Sequence, residues 1–186
     1  LAELCDRYQQ FAGHSLVLSI DWAKHRDATI MSVYALTPVE YARPSSGLIV
    51  RLPRQVAVFM FHGDDYTEQL QWAQAIKDHY GAHEVHGDEN NGNGVAMGDF
   101  LRQLYSTGII PHKFSVTNKG AYVRRGQFLF YNADVLLMKV QRQMDEFKSF
   151  RKIVPKTQSG EVHVRYSHPP EGHDDFVDVF LHVSEA

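Results

Sequence analysis

Three groups of acidic residues stand where the chain changes from one kind of element to the next. Asp21 closes the apolar run SLVLSID at 15–21. Asp88 and Glu89 close AHEVHGDE at 82–89, just ahead of the turn NNGNG. Asp174, Asp175 and Asp178 crowd into the closing stretch EGHDDFVDVFLHVSEA. A charge at the end of a strand in a sheet core is costly unless it is paired, hydrated or bound to a cation. Carboxylates brought together repel one another, and a hard divalent cation resolves that repulsion. Oxygen ligands of this kind suit Mg²⁺ or Mn²⁺. The closing acids also have a plainer reading, as a helix start favoured by the helix dipole. At about 100° per residue, the three acids and His182 share one face, opposite Phe176, Val179, Phe180 and Val183. That pattern fits a solvated face and a ligand face equally. Asp21 is the more telling residue, because its strand is apolar up to that point.

The elements that must carry these acids follow from periodicity and breakers. SLVLSID reads as a buried strand, DATIMSVYAL (27–36) as a second and QVAVFMFHG (55–63) as a third. TPVEYARPSSG (37–47) between the last two reads as a loop or wide hairpin connection. Helical spacing follows at 64–81, with Asp64 or Asp65 as cap and Gly81 as stop. A short strand at 82–89, a turn and a helix at 95–108 come next. HKFSV (112–116) and QFLFY (127–131) are strand candidates. ADVLLMKVQRQMDEFKSF (133–150) reads as the longest amphipathic helix, with Leu136, Leu137, Val140, Met144 and Phe147 on its apolar face. EVHVRYS (161–167) alternates and can form a hairpin with RKIVP, and the closing stretch is the last helix. Three consecutive strands, then alternating helices and strands, predict an α/β fold: an antiparallel meander feeding a partly parallel sheet covered by helices.

Bulk properties narrow the classes. The 186 residues suffice for one domain with a real core. No apolar run approaches the length of a membrane helix, so no membrane partner is expected. Cys5 is the single cysteine, which excludes an internal disulfide and a thiolate zinc cluster. The net charge of -3 is unevenly spread. Residues 101–156 hold eleven Lys/Arg against three Asp/Glu, whereas 60–100 hold one against eight and 157–186 one against six. A basic segment between acidic ones fits a polyanion-binding surface beside a metal site, and equally a set of solvated helix faces bearing Arg102, Lys139, Arg142, Lys148 and Arg151.

Taken in order, IDWAKHRDATI, VHGDENNGNGVAM and GHDDFVDVF resemble the nuclease domain of the large terminase subunit of tailed bacteriophages, from Asp21 to Phe180. Asp21, Ala23 and Asp27 fit its first motif; Glu89, Gly92 and Gly94 the second; His173, Asp174, Asp175 and Asp178 the third. Trp22 is bulkier than the residue the family often carries there. The resemblance implies an RNase H-like fold, a mixed sheet antiparallel in its first three strands and parallel after them, flanked by helices. It implies Asp21, Glu89 and Asp175 as core ligands of two Mg²⁺ or Mn²⁺ ions, Asp88 and Asp178 as further ligands, and His173 as proton shuttle or extra ligand. Adjacent strand residues face opposite ways, so which of Asp88 and Glu89 faces the metal stays open. The implied activity is two-metal hydrolysis of DNA phosphodiesters, by an endonuclease that cuts concatemeric viral DNA during packaging. Lys113, Lys119, Arg124 and Arg125 would hold phosphates without reading sequence, with Lys24, Lys152, Lys156 and Arg165 as further candidates. Expected partners are double-stranded DNA, the ATPase motor of the same subunit, the small terminase subunit and the portal, in the host cell cytoplasm. The chain would be one nuclease domain, the C-terminal part of a longer subunit, and without a GxxxxGK[ST] motif it should not hydrolyse ATP itself. Two other readings are an RNase H-like resolvase or RNA–DNA hybrid nuclease, and a non-catalytic DNA-binding module with structural acids.

Other motifs fail on spacing. HEVH (83–86) lacks the i, i+4 histidines of a zincin, GNGVAMG lacks the glycine spacing of a dinucleotide site, and no GxSxG is present.

Overall fold

A computed structural model describes residues 2–6, 8–11, 13–22, 28–40, 49–63, 65–88, 92–115, 118–154, 164–170 and 172–184, with backbone alone for 2–6, 38–40, 49–51 and 92–94. Glu89, Ala23, Lys24, Asp27, Asp64, Lys156 and residues 161–163 of the expected hairpin lie outside the described residues.

The main sheet is built from β1 (Ala2–Asp6), β2 (Leu16–Asp21), β3 (Ala28–Glu40), β4 (Ile49–His62), β5 (Glu84–Asp88) and β6 (Ile110–His112). Their order across the sheet is β1-β4-β3-β2-β5-β6. β2, β3 and β4 pair antiparallel, then β2–β5 and β5–β6 pair parallel, as the element order predicts. The helices are α1 (Tyr66–Tyr80), α2 (Gly92–Tyr105), α3 (Lys119–Tyr131), α4 (Gln141–Ser149) and α5 (Asp175–Val183). Separately, β7 (Arg151–Ile153) pairs antiparallel with β8 (Arg165–Ser167), as expected of RKIVP and EVHVRYS; TQSG lies outside the described residues. Among the described residues no helix is long and apolar enough to cross a membrane.

Both faces of β2 are covered, which is why LVLSI is apolar almost without interruption. Side chains alternate along a strand, so Leu16, Leu18 and Ile20 point one way. They pack with Leu70, Ala73 and Ile76 of α1 and Met97 and Leu101 of α2. Val17 points the other way, into a cluster with Val177, Phe180, Leu181 and Val183 of α5 and Val123 and Leu129 of α3. Asp21 has the same parity as Val17 and therefore belongs to the α5 face. Trp22 is buried in the first cluster, and its indole fits because Gly87 lies beside it: a Cβ at Gly87 would stand 3.4 Å from the indole nitrogen.

The α1 boundaries match their signals. The Asp65 carboxylate accepts the backbone N–H groups of Thr67 at 2.8 Å and Glu68 at 3.2 Å, and Gly81 takes the left-handed conformation at φ 65° that ends the helix.

Several expectations are corrected. QFLFY is not a strand but the last turns of α3, where Val123, Gly126 and Leu129 are buried at three-residue intervals. A short apolar run carries no periodicity of its own, and this one belongs to a helix that starts eight residues earlier. Only the second half of 133–150 is helical. Its first half is an irregular segment bridged at Leu136 to β4: Gln55 N–H donates to the Leu136 carbonyl at 2.8 Å, and Leu136 N–H to the Pro53 carbonyl at 3.3 Å. The strand expected at 112–116 lies at Ile110–His112 instead. β3 runs to Glu40, into the stretch 37–47 expected as a connection, the rest of which lies outside the described residues. β1, from the opening AELCD, has no counterpart in the sequence reading.

Candidate metal centre

Register brings the first two acids together. In the parallel ladder Ile20 is opposite Gly87, so Asp21 and Asp88 follow as neighbours at the same end of the sheet. His86, two residues before Asp88, is buried on the α5 side against His112. Asp88 shares that side by alternation. The two carboxylates thus reach the start of α5, where Asp174 precedes the helix and Asp175 and Asp178 stand in its first turn.

Alpha5 is pressed onto this end of the sheet by its own apolar residues. Phe176 and Val179 pack with Ala28, Ile30, Val58 and Met138, while Val177, Phe180, Leu181 and Val183 enter the cluster around Val17 and Tyr34. Of the two readings the helical wheel left open, the solvated face does not form: His182 is fully buried, with Ser19 Oγ 3.1 Å from its Nδ1 and its ring stacked on His112 and Phe114. Asp174, the residue before the helix, makes no side-chain cap bond. The cap comes from another helix. Glu146 of α4 accepts the Phe176 backbone N–H at 2.9 Å through Oε2 and the Arg142 Nε–H at 3.2 Å through Oε1. Arg142 then donates from Nη2 to Asp175 Oδ2 at 3.2 Å. Lys119, the first residue of α3, holds the other two acids. Its Nζ lies 3.1 Å from Asp174 Oδ2, and 2.8 and 2.9 Å from the two oxygens of Asp178.

The balance of charge remains strongly negative. Burial, then Asp178, Asp175, Asp88 and Asp174, push the Asp21 carboxyl well above the ordinary Asp range. Burial pushes Asp178 up to about 7, against the opposing pull of Lys119 and with further push from Asp174 and Asp88. Burial alone would lower the Lys119 ammonium, but Asp178 and Asp174 outweigh it and hold it above its usual value. Below the acids, His86, His112 and His182 form a buried stack kept neutral: burial pulls His112 down to about 4 and His182 well below the ordinary His value. The stack fills the space under the acids without adding positive charge there.

Of the expected ligands, the structure brings Asp21, Asp88, Asp175 and Asp178 into one electrostatically coupled group and adds Asp174. Among the described residues the acids do not stand as a ready three-ligand cage; Lys119 bridges Asp174 and Asp178, and Arg142 holds Asp175. Five oxygen-donor carboxylates against two fixed cations nevertheless fit a hard divalent ion. His173 is exposed, and its ring stacks at 6.4 Å on His168, which itself stands 3.7 Å from Asp174. The four basic residues expected on one phosphate-holding surface part company. Lys113 and Arg124 are exposed. Lys119 is a correction: its side chain is 15% exposed and belongs to the acidic centre. Arg125 donates through Nε to the Ser184 carbonyl at 3.3 Å, at the opposite end of α5. Lys152 and Arg165 are exposed on the β7–β8 hairpin. Sequence reasoning missed Glu146, Arg142, His168 and the histidine stack. Only the excess of basic residues after position 100 hints that the acids would meet cations.

No protein-family model matches the chain, and no curated protein matches it. Solved structures do. The large terminase nuclease from thermophilic phage G20c superposes at a TM-score of 0.74 with 20% identity, covering 93% of this chain and 82% of that one. The large terminase nuclease domain of Thermus phage P74-26 gives 0.68 and 21%, covering 92% and 80%. The nuclease domain of the large terminase subunit of bacterial virus Sf6 gives 0.63 and 11%, covering 97% and 94%. The chain therefore has the fold of the large terminase nuclease domains of tailed phages.

Proposed function

We propose that the chain is a Mg²⁺- or Mn²⁺-dependent endonuclease domain that cuts concatemeric viral DNA during packaging. The observation that carries this reading is the convergence of Asp21 from β2, Asp88 from β5 and the α5 acids at one end of the sheet, with Asp21 driven toward its protonated form by its neighbours. Such a group gains most from a divalent ion, which relieves the repulsion. Support comes from the similar folds: the G20c nuclease has been solved with bound magnesium and the Sf6 domain with manganese.

Asp21, Asp88, Asp175 and Asp178 would hold two ions, with Glu89 as a further ligand from the sequence pattern. Bound divalent ions supply activation of the attacking water and charge stabilisation of the leaving oxygen. The chain's own residues do the positioning. Glu146 fixes the first turn of α5, and Arg142 orients the Asp175 carboxylate. His173, exposed beside His168, takes up or delivers protons at the rim. Lys113 and Arg124 hold backbone phosphates of double-stranded DNA. The domain works as the C-terminal part of a longer subunit with an ATPase motor, alongside the small subunit and portal, in the host cell cytoplasm.

The test incubates supercoiled plasmid with wild type and Asp21→Asn, in Mn²⁺ and in EDTA. Cutting by wild type in Mn²⁺ alone is expected. Equal cutting by a folded Asp21→Asn protein would refute the reading. Preference for a four-way junction or an RNA–DNA hybrid over duplex would replace it with a resolvase or hybrid nuclease. Salt-sensitive DNA binding without cutting would replace it with a binding module.

A further inference from the structure

We propose that Lys119 is the resident cation of the acidic centre: it holds Asp174 and Asp178 in the metal-free protein and competes with an incoming divalent ion for Asp178. The inference rests on the metal-binding reading above and adds what that reading does not contain, an organic cation already in the site.

Three observations carry it. First, the ammonium is bonded to both carboxylates at once, and within 3 Å of both Asp178 oxygens, at 2.8 and 2.9 Å. Second, it is walled in. Its nitrogen lies 5.1 Å from the Phe114 ring centre and 5.6 Å from that of Phe150, so aromatic faces hold the charge where water is scarce. Third, its place on α3 serves the acids and not its own helix. Lys119 is the first residue of α3, where the helix dipole disfavours a cation. Close packing fixes it there: a Cβ at the adjacent Gly120 would stand 3.2 Å from the Tyr166 ring of β8. A larger residue at 120 would push this end of α3 away.

The consequence is a competition. An ion bound through Asp178 must share or displace the ammonium, and two positive charges on one carboxylate repel strongly in a partly buried site. Removing Lys119 removes the competitor and leaves more uncompensated negative charge. Metal affinity then rises while metal-free stability falls. A residue that merely braced the fold would give the second effect without the first.

The test is calorimetric titration of MnCl₂ at pH 8 into wild type, Lys119→Met, Lys119→Arg and the distant control Lys148→Met, with metal-free melting temperatures alongside. Lys119→Met should bind Mn²⁺ at least tenfold more tightly than wild type and melt lower without metal. Lys119→Arg and Lys148→Met should stay within about threefold of wild type. If wild type binds Mn²⁺ and a folded Lys119→Met binds equally or more weakly, the competition is overturned and the metal reading stands. If neither wild type nor any variant binds Mn²⁺, both fall. Should Lys119→Met fail to fold, wild type alone decides: the Lys119 side-chain ¹⁵N resonance should shift on Mg²⁺ saturation, and an unmoved resonance refutes the displacement.

Discussion

Asp178 should make metal-free stability fall as pH rises through neutrality, the reverse of ordinary acid denaturation, and the size of its contribution can be worked. Burial pushes its carboxyl up to about 7 in the folded protein, against an ordinary Asp value of 3.8. The folded state therefore holds this proton more tightly than the unfolded chain, and stability drops with pH between the two values. Each tenfold difference is about 1.4 kcal/mol, so the full contribution is at most about 4 kcal/mol. The part expressed between pH 5 and 8 is about 2–3 kcal/mol. In a chain of this size that corresponds to a fall of about 6 °C in Tm. Asp21 titrates with Asp178 and acts in the same direction, so the two protons belong to the pair. The assay is urea unfolding in EDTA at pH 5 to 8, for wild type and Asp178→Asn. Across this window wild type should lose about 2–3 kcal/mol relative to Asp178→Asn, because the neutral buried histidines, which oppose the trend at its acid end, act alike in both proteins. Saturating Mn²⁺ should reverse the wild-type trend, because an ion binds the ionised carboxylates. Parallel profiles for the two proteins would refute the reasoning.

Two further predictions concern the supports of the site. Glu146→Ala strands the Phe176 N–H and leaves Arg142 with Asp175 alone, so it should cost about 2–4 kcal/mol by urea unfolding, whereas Glu146→Gln, which keeps an acceptor, should cost clearly less. Ala133 sits at φ 56°, a left-handed conformation that penalises a side chain, so Ala133→Gly should stabilise the protein by about 1 kcal/mol in the same assay.

The acids at the ends of β2, β5 and the last helix were legible because strand ends and an acid-rich helix start leave marks in a sequence. The mixed sheet was legible for a similar reason, since β-branched runs and helical spacing alternate in the right order. What escaped reading depends on partners distant in sequence. Residues 133–140 satisfy a helical pattern, yet the backbone of Pro53 and Gln55 claims Leu136 for a bridge to β4 and the segment does not coil. Lys119 reads as one of many basic residues until α3 is laid against α5, 55 residues away in sequence from Asp174. The helical wheel placed His182 with the acids on one face, but α5 is buried nearly all round and its polar residues divide between a cation-bound turn and an internal ring stack. Helix periodicity tells which residues share a face, not what the rest of the chain brings to it.

The central claim is that these carboxylates bind divalent metal between β2, β5 and α5. The most direct measurement is anomalous diffraction from crystals soaked in Mn²⁺. The account predicts anomalous density bounded by Asp21, Asp88 and Asp175, with the Lys119 ammonium drawn away from Asp178. Crystals at saturating Mn²⁺ with no anomalous density among these residues, and Lys119 still bonded to both Asp174 and Asp178, would contradict it.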